Sequence, residues 1–248
     1  IGGLFRVILN ILFVTLFIEG IGAYLIYHDI KGTIPGGIKE ELFFSIFHSI
    51  SAFCNAGIST LSGNMYDPLV VHNFRLHVWI AFLIVFGGLG FPIVFNYLKL
   101  LQHLVVNGFK ILIGKQKHYI HTPRIINIHT YIVVISTFIL LVAGTALYFF
   151  FEYKNTLAGL PMEGKLANAF LGAVTPRTAG FCVADMGTLL PTTLMLTLIL
   201  MIIGAAPMST GGGLKVTTVF VALLTMINVA RGKDKMEYRK RELSVTTI

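Results

Sequence analysis

Apolar runs of membrane length alternate along this chain with shorter, polar-tipped ones, and the series is written twice. Residues 4–27 form a first apolar run, long enough as a helix to cross a hydrocarbon core of about 30 Å. Residues 40–53 are too few to span and open on Glu40 and Glu41, acids that suit the positive end of a helix dipole. They predict a half-membrane helix that enters from outside and stops. Residues 73–101 predict a second span, interrupted at 86–92 by FGGLGFP, whose glycines and proline allow a bend or close packing. The series then recurs. Residues 129–151 predict a span, and 161–175 a short helix with Pro161 and Glu163 in its first turn, where the missing N–H of proline does no harm. Residues 189–230 predict a final span broken at 204–213.

Between half-helix and span, each copy carries a polar, glycine-bearing stretch: FHSISAFCNAGIST at 47–60 and FLGAVTPRTAGFCVAD at 170–185. At an offset of 123 they share Phe47/Phe170 and Ala56-Gly57/Ala179-Gly180, and the ends of the first spans share Ala23/Ala146 and Asp29/Glu152. Polar backbone at membrane depth cannot face lipid, so it must line a watery path or be buried in protein. Ordinary external loops fit less well, because 43–53 and 166–174 are too apolar to be solvated. The expected organisation is a pore repeat at 1–101, a basic cytoplasmic linker at 102–128, a second pore repeat with a broken final helix at 129–230, and a basic cytoplasmic segment at 231–248.

Composition makes this an all-α integral membrane protein rather than a soluble one. Hydrophobic residues are 55% of the chain, charged residues 12%, and mean hydropathy is +0.81, against about 25% charged in a soluble domain. The formal charge of +8 does not point to nucleic acid, because of where it sits. Lys99, Lys110, Lys115, Lys117 and Arg124 lie in one acid-free stretch, and Arg231, Lys233, Lys235, Arg239, Lys240 and Arg241 crowd the tail. By the positive-inside rule both basic stretches are cytoplasmic and both glycine-bearing stretches external. The basic stretch around 110–124 suits anionic lipid head groups at the inner leaflet. No secretory signal is recognisable, and the start at Ile1, within an apolar run, is expected of a piece of a longer protein.

A half-helix pointing inward aims about half a negative charge at the membrane centre. The strand that climbs back out can present carbonyl oxygens that replace the hydration shell of a monovalent cation. Gly57 and Gly180 suit such a strand, since glycine reaches backbone conformations closed to other residues. No acid lies at 54–59 or 175–182, so a carboxylate ring for divalent ions is excluded. Arg177, the one charge, is expected to pair or hydrogen-bond behind the wall. Cys54 and Cys182 read as small buried hydrophobes.

SAFCNAGIS, FGGLGFPI, TPRTAGF and GAAPMSTGGGLKVTT resemble the Trk/Ktr/HKT superfamily of potassium transporters, and most of all the membrane (KtrB-type) subunit of bacterial Ktr systems. The resemblance covers essentially the whole chain. It implies a potassium-channel-like pore of four repeats, of which this chain holds the middle two. It also implies that backbone carbonyls of Asn55, Ala56, Gly57 and Ile58, and of Thr178, Ala179, Gly180 and Phe181, bind K+, with Na+ as a second candidate ion. Two repeats cannot close a four-sided pore, so two walls must come from elsewhere. A homodimer in the bacterial cell membrane and a cytoplasmic ring of nucleotide-binding regulatory subunits are likewise implied by the resemblance alone.

The sequence 204–213, GAAPMSTGGG, cannot persist as regular helix, since each interior Gly costs about 1 kcal/mol and Pro about 3 relative to Ala. Gly204, Pro207, Ser209, Thr210, Gly211, Gly212, Gly213 and the following Lys215 are therefore the candidate gate beneath the filter, the place the resemblance also gives them. Lys215 either snorkels to the cytoplasm or repels cations there. A nucleotide P-loop is excluded because Leu214 separates Gly213 from Lys215, and 206–211 does not match a serine nucleophile elbow at Ser209. No enzymatic activity and no cofactor are expected. Glu19 in the first span and His48 in the first half-helix are expected to be structural. His118 and His121 are expected to be solvated, and Trp79 to face lipid or core. The rival function is a secondary transporter of another small cation or solute with a discontinuous-helix site. That would call for an inverted repeat and charged spans, whereas both copies here run the same way. Channel-like and sodium-coupled transport both fit the residues.

Overall fold

The computed structural model describes residues 2–112 and 128–231, together with the backbone of 237–238 and 241–242; side chains are described for 3–107 and 129–231. The side chains of Lys110, Lys115, Lys117, Arg124, His118, His121 and the basic tail after Arg231 lie outside the described residues, as does most of the linker expected at 102–128.

Helices form where the apolar runs predict them. In order they are α1 (Gly2–Ile30), α2 (Ile38–Phe53), α3 (Phe74–Leu89), α4 (Phe91–Leu112), α5 (Ile128–Glu152), α6 (Met162–Val174), α7 (Pro191–Ile202) and α8 (Val216–Ala230). The fold is all-α as expected; among the described residues, Glu237–Tyr238 and Arg241–Glu242 in the tail pair as two-residue antiparallel strands. Gly3–Ile30 and His129–Glu152 are long and apolar enough to cross a membrane, with mean hydropathies of 2.1 and 2.4. Phe13 at 71% and Phe150 at 78% exposure, unthinkable in water, suit helices whose outer faces meet lipid.

The span expected at 73–101 is not straight. It bends by 100° between α3 and α4, at Gly90 with φ +86°, and α4 runs on past Leu101 to Leu112. Pro92 near the start of α4 has no N–H to lose from the helix ladder, so the turn costs it nothing.

The half-helices α2 and α6 have 16 and 13 residues, about 24 and 20 Å at 1.5 Å per residue, short of the hydrocarbon thickness. Helix α2 packs against α1 and α3, and α6 against α3 and α5. Helix α3 is therefore common to both repeats. One continuous core runs through it, joining Ile26, Phe44, Leu76, Ile80, Leu171, Val174 and Phe181.

The repeat is also visible in how the outer ends are tied. At the end of α1, Asp29 accepts the Trp79 indole N–H (2.7 Å), and its backbone carbonyl accepts Asn73 (2.9 Å). At the corresponding end of α5, the buried Glu152 accepts the Leu190 N–H (2.9 Å) and the hydroxyls of Thr193 (2.5 Å) and Thr156 (2.8 Å). Each acid thus fastens a first helix to the second span of its own copy.

Candidate functional site

Each half-helix ends where a polar strand begins, and the two strands have the same backbone. Asn55 and Gly57 have φ of +52° and +69°; Thr178 and Gly180, at the offset of 123, have +76° and +87°. Left-handed residues at every second position turn successive peptide planes to one side, where a regular β-strand would alternate them. Among the described residues no donor bonds the carbonyls of Asn55, Ala56, Gly57, Thr178, Ala179, Gly180 or Phe181. A row of acceptors without protein donors is the requirement for holding a cation by oxygen alone. Ile58 departs from expectation: its carbonyl accepts the Ser51 hydroxyl at 2.7 Å and so faces the half-helix.

The strands run close together because both carry glycine at the contact. A Cβ on Gly57 would fall 2.6 Å from Gly180 Cα and would collide with the Ala179 carbonyl oxygen. Their positions are fixed from behind. Ser51 both donates to and accepts from Ile58 (2.7 and 3.0 Å). His48 is fully buried, donates from Nδ1 to the Phe44 carbonyl (2.9 Å), and leaves Nε2 of the neutral ring to accept the Ser59 hydroxyl (2.9 Å). On α3, buried His77 bridges the Asn168 side chain on α6 (2.7 Å) and the Met65 carbonyl (3.1 Å). The Met65 N–H donates in turn to the Cys182 carbonyl (3.1 Å), and the Cys182 N–H to Asn64 Oδ1 (3.3 Å). Nothing in the sequence singled out Ser51, Ser59, Asn64, His77 and Asn168, for isolated polar residues on helices or in the segments between them carry no spacing signal.

Residues 204–215 lie under these strands as a closed loop with a narrow neck. The Gly204 N–H donates to Leu214 (2.9 Å), the Leu214 N–H to Ile202 (3.2 Å) and the Ala205 N–H to Gly212 (3.2 Å). A Cβ on Gly204 would lie 2.8 Å from Gly213 Cα, so this neck needs glycine on both sides. The loop also fills the corner between α3 and α4. The Ala206 and Thr210 N–H groups donate to the carbonyls of Gly88 (3.0 Å) and Gly87 (3.2 Å), and the Phe91 N–H donates to Met208 (3.2 Å). It thereby satisfies orphan carbonyls at the end of α3 and an orphan N–H at the start of α4. FGGLGFP and GAAPMSTGGG, far apart in sequence, form one structure.

The remaining candidates fall around this corner. Pro207 and Ser209 lie in the loop, with the Ser209 hydroxyl donating to Ala206 (2.6 Å). Lys215 Nζ donates to the Gly211 carbonyl at 2.8 Å, turned back onto the loop rather than away from it. Arg177, 8% exposed, donates to the Gly204 carbonyl at 3.2 Å, and among the described residues no carboxylate pairs with it. Its Nε, Thr175 Oγ1 and Asn55 Oδ1 are buried without a partner among those residues. The cysteines are free and are not buried as expected: Cys54 is exposed and Cys182 half-buried. The Cys54 thiol lies 3.7 Å from Oε1 of the buried Glu19, which also gives its backbone carbonyl to Ser49 (2.7 Å). Among the described residues no cluster of three His, Cys, Asp or Glu side chains could hold a metal.

Two re-entrant helix–strand units, set side by side between membrane-crossing helices, define a pore-type membrane protein. The family model described as "TrkH: Cation transport protein" matches residues 4–246, and the chain belongs to that family. It is 34% identical to Ktr system potassium uptake protein B of Vibrio alginolyticus over 98% of this chain and 49% of the relative. It is 33% identical to the Ktr system potassium uptake protein B of Bacillus subtilis (strain 168) over 100% of this chain and 51% of the relative. The crystal structure of the potassium transporter TrkH from Vibrio parahaemolyticus shares the fold, with a TM-score of 0.69 at 16% identity, covering 100% of this chain and 48% of that one. The chain spans about half the length of the curated relatives it matches.

Proposed function

We propose that the chain supplies two adjacent walls of a potassium-selective pore in a potassium uptake protein of the bacterial cell membrane. Ions shed water against the carbonyls of 55–57 and 178–181 and then pass the loop 204–213 when it moves. Ile58 bounds the first wall but faces its carbonyl away. The observation that carries this is the repeated left-handed alternation with carbonyls free of protein donors. The orphaned Asn55 Oδ1 and Thr175 Oγ1 at the foot of the walls support a polar, watery space there rather than a dry core.

The two further walls belong to the remainder of the whole protein. That protein works as a homodimer in lipid, with a nucleotide-binding regulatory ring at its cytoplasmic face, and sodium is a second candidate ion. The name of the relatives, Ktr system potassium uptake protein B, supports K+ as the cargo. In the full-length protein, Gly57→Ser and Gly180→Ser should weaken selection of K+ over Na+ in flux competition. Unchanged selectivity in protein that reaches the membrane normally overturns the filter assignment.

A further inference from the structure

The first residue of each candidate filter strand reaches down to the loop, Asn55 to Thr210 and Thr178 to Gly212. Asn55 Nδ2 donates to Thr210 Oγ1 at 2.6 Å, and that hydroxyl donates onward to the Phe53 carbonyl at the end of α2 (2.9 Å). In the other repeat, Thr178 Oγ1 accepts the Gly212 N–H at 3.1 Å. Asn55 and Thr178 occupy the same repeat position, and both are non-glycine residues with positive φ. For β-branched Thr178 that backbone is an outlier, a conformation that persists only where the surroundings impose it.

We propose that Asn55 and Thr178 are positioning residues that latch 210–212 to the foot of the filter, so that the gate is held from two walls at once. This rests on the loop being the barrier. The latch makes release inexpensive in polar terms. When Thr210 withdraws, the Phe53 carbonyl and the Asn55 amide are handed to the cavity, where water replaces the partner of either and the passing ion can also take the place of the donor to the Phe53 carbonyl. Filter backbone and gate are thereby coupled, because the side chains that hold the loop stand on the left-handed residues that orient the carbonyls.

Thr178→Val and Thr210→Val test this in the full-length protein reconstituted in liposomes. Valine is isosteric and equally β-branched, so it removes the hydroxyl without adding strain to the backbone at either site. An ordinary hydrogen bond is worth about 1 kcal/mol, so Thr178→Val, which loses one, should raise potassium flux about fivefold, and Thr210→Val, which loses two, about 25-fold. Thr178→Ser and Thr210→Ser, which keep the hydroxyl, should raise flux less than the valine changes at the same positions do. Deleting 206–212 separates the two claims. If the deletion raises flux while the valine variants match the parent, the latch is wrong and the gate stands. If neither changes flux, both are wrong. Amide exchange in the unaltered protein provides a check independent of variant folding: the Gly212 N–H should exchange slowly in the non-conducting state, and fast exchange there overturns the latch.

Discussion

Gly57→Ser and Gly180→Ser should differ, and the difference is a sharper test than either alone. At Gly57 the new Cβ would sit 2.6 Å from Gly180 Cα and 2.8 Å from Gly180 C, besides striking the Ala179 carbonyl oxygen, on a backbone with φ +69°. A side chain in the left-handed region costs about 1–2 kcal/mol, and forcing extra atoms into packed space about 1–3, or about 2–5 together. At Gly180 the nearest atom to the new Cβ is Gly57 Cα at 3.2 Å, a distance that a shift of a few tenths of an ångström relieves. The strain at Gly57 is delivered straight to the Ala179 carbonyl of the neighbouring strand, whereas that at Gly180 stays largely in its own backbone. If about 1.4 kcal/mol of it is spent moving the Ala179 oxygen, discrimination between two ions falls about tenfold. The assay is inhibition of rubidium uptake by sodium, in liposomes carrying the full-length protein, normalised to the amount incorporated. Gly57→Ser should lose about tenfold or more of its selectivity and Gly180→Ser several-fold less. The reverse order, or equal and undiminished selectivity, refutes the steric reasoning.

Deleting 206–212 should raise potassium flux on the order of tenfold or more, since every 1.4 kcal/mol removed from a barrier is tenfold in rate; parent-level flux counts against a barrier. Arg177→Gln puts its amide nitrogen at the position of Nε, short of the Nη2 that reaches the Gly204 carbonyl, so it loses charge and bond together and should lower stability in detergent unfolding by about 1.5–3 kcal/mol, the worth of a hydrogen bond to a charged group; no change would mean that the guanidinium holds nothing at the neck. Glu152→Gln should destabilise more than Asp29→Asn, because the buried Glu152 serves Leu190, Thr193, Thr156 and Asn155 together, whereas the Asp29 carboxylate serves the Trp79 indole and the adjacent, mostly exposed His28. Thermal unfolding of the two purified variants checks the order.

Helix positions were legible in the sequence because membrane length and apolarity are local properties. The two half-helices differ from expectation by a residue or two at their ends. The offset of 123 also paired Ala56-Gly57 with Ala179-Gly180, and Gly57 and Gly180 share a positive φ. What could not be read was tertiary. A bend of 100° at Gly90 needs a partner for the groups it frees, and that partner, residues 206–210, lies more than a hundred positions away. Ile58 looked like its neighbours as a carbonyl donor to the path, and only the hydroxyl of Ser51, seven residues back, turns it aside. His77 and Asn168 meet across two helices of different repeats, a contact that no periodicity announces.

The corner where these elements meet constrains how the proposed gate can move. Loop and bent helix pair share their hydrogen bonds: Gly87 and Gly88 at the end of α3 accept from Thr210 and Ala206, and Phe91 at the start of α4 donates to Met208. A helix end without partners at membrane depth costs free energy for every group left bare. Displacing the loop therefore strips the cap from α4, and swinging α4 about Gly90 pulls on Met208 and hence on Thr210, the residue bonded to Asn55. By linkage the coupling has to run equally in both directions. Helix α4 leads toward the segment on which the proposed cytoplasmic partner would act, so a force applied there would reach the proposed filter through a corner, two hydrogen bonds and one threonine, and would also be felt by α5, whose Thr130 accepts from Asn96 of α4 (2.8 Å).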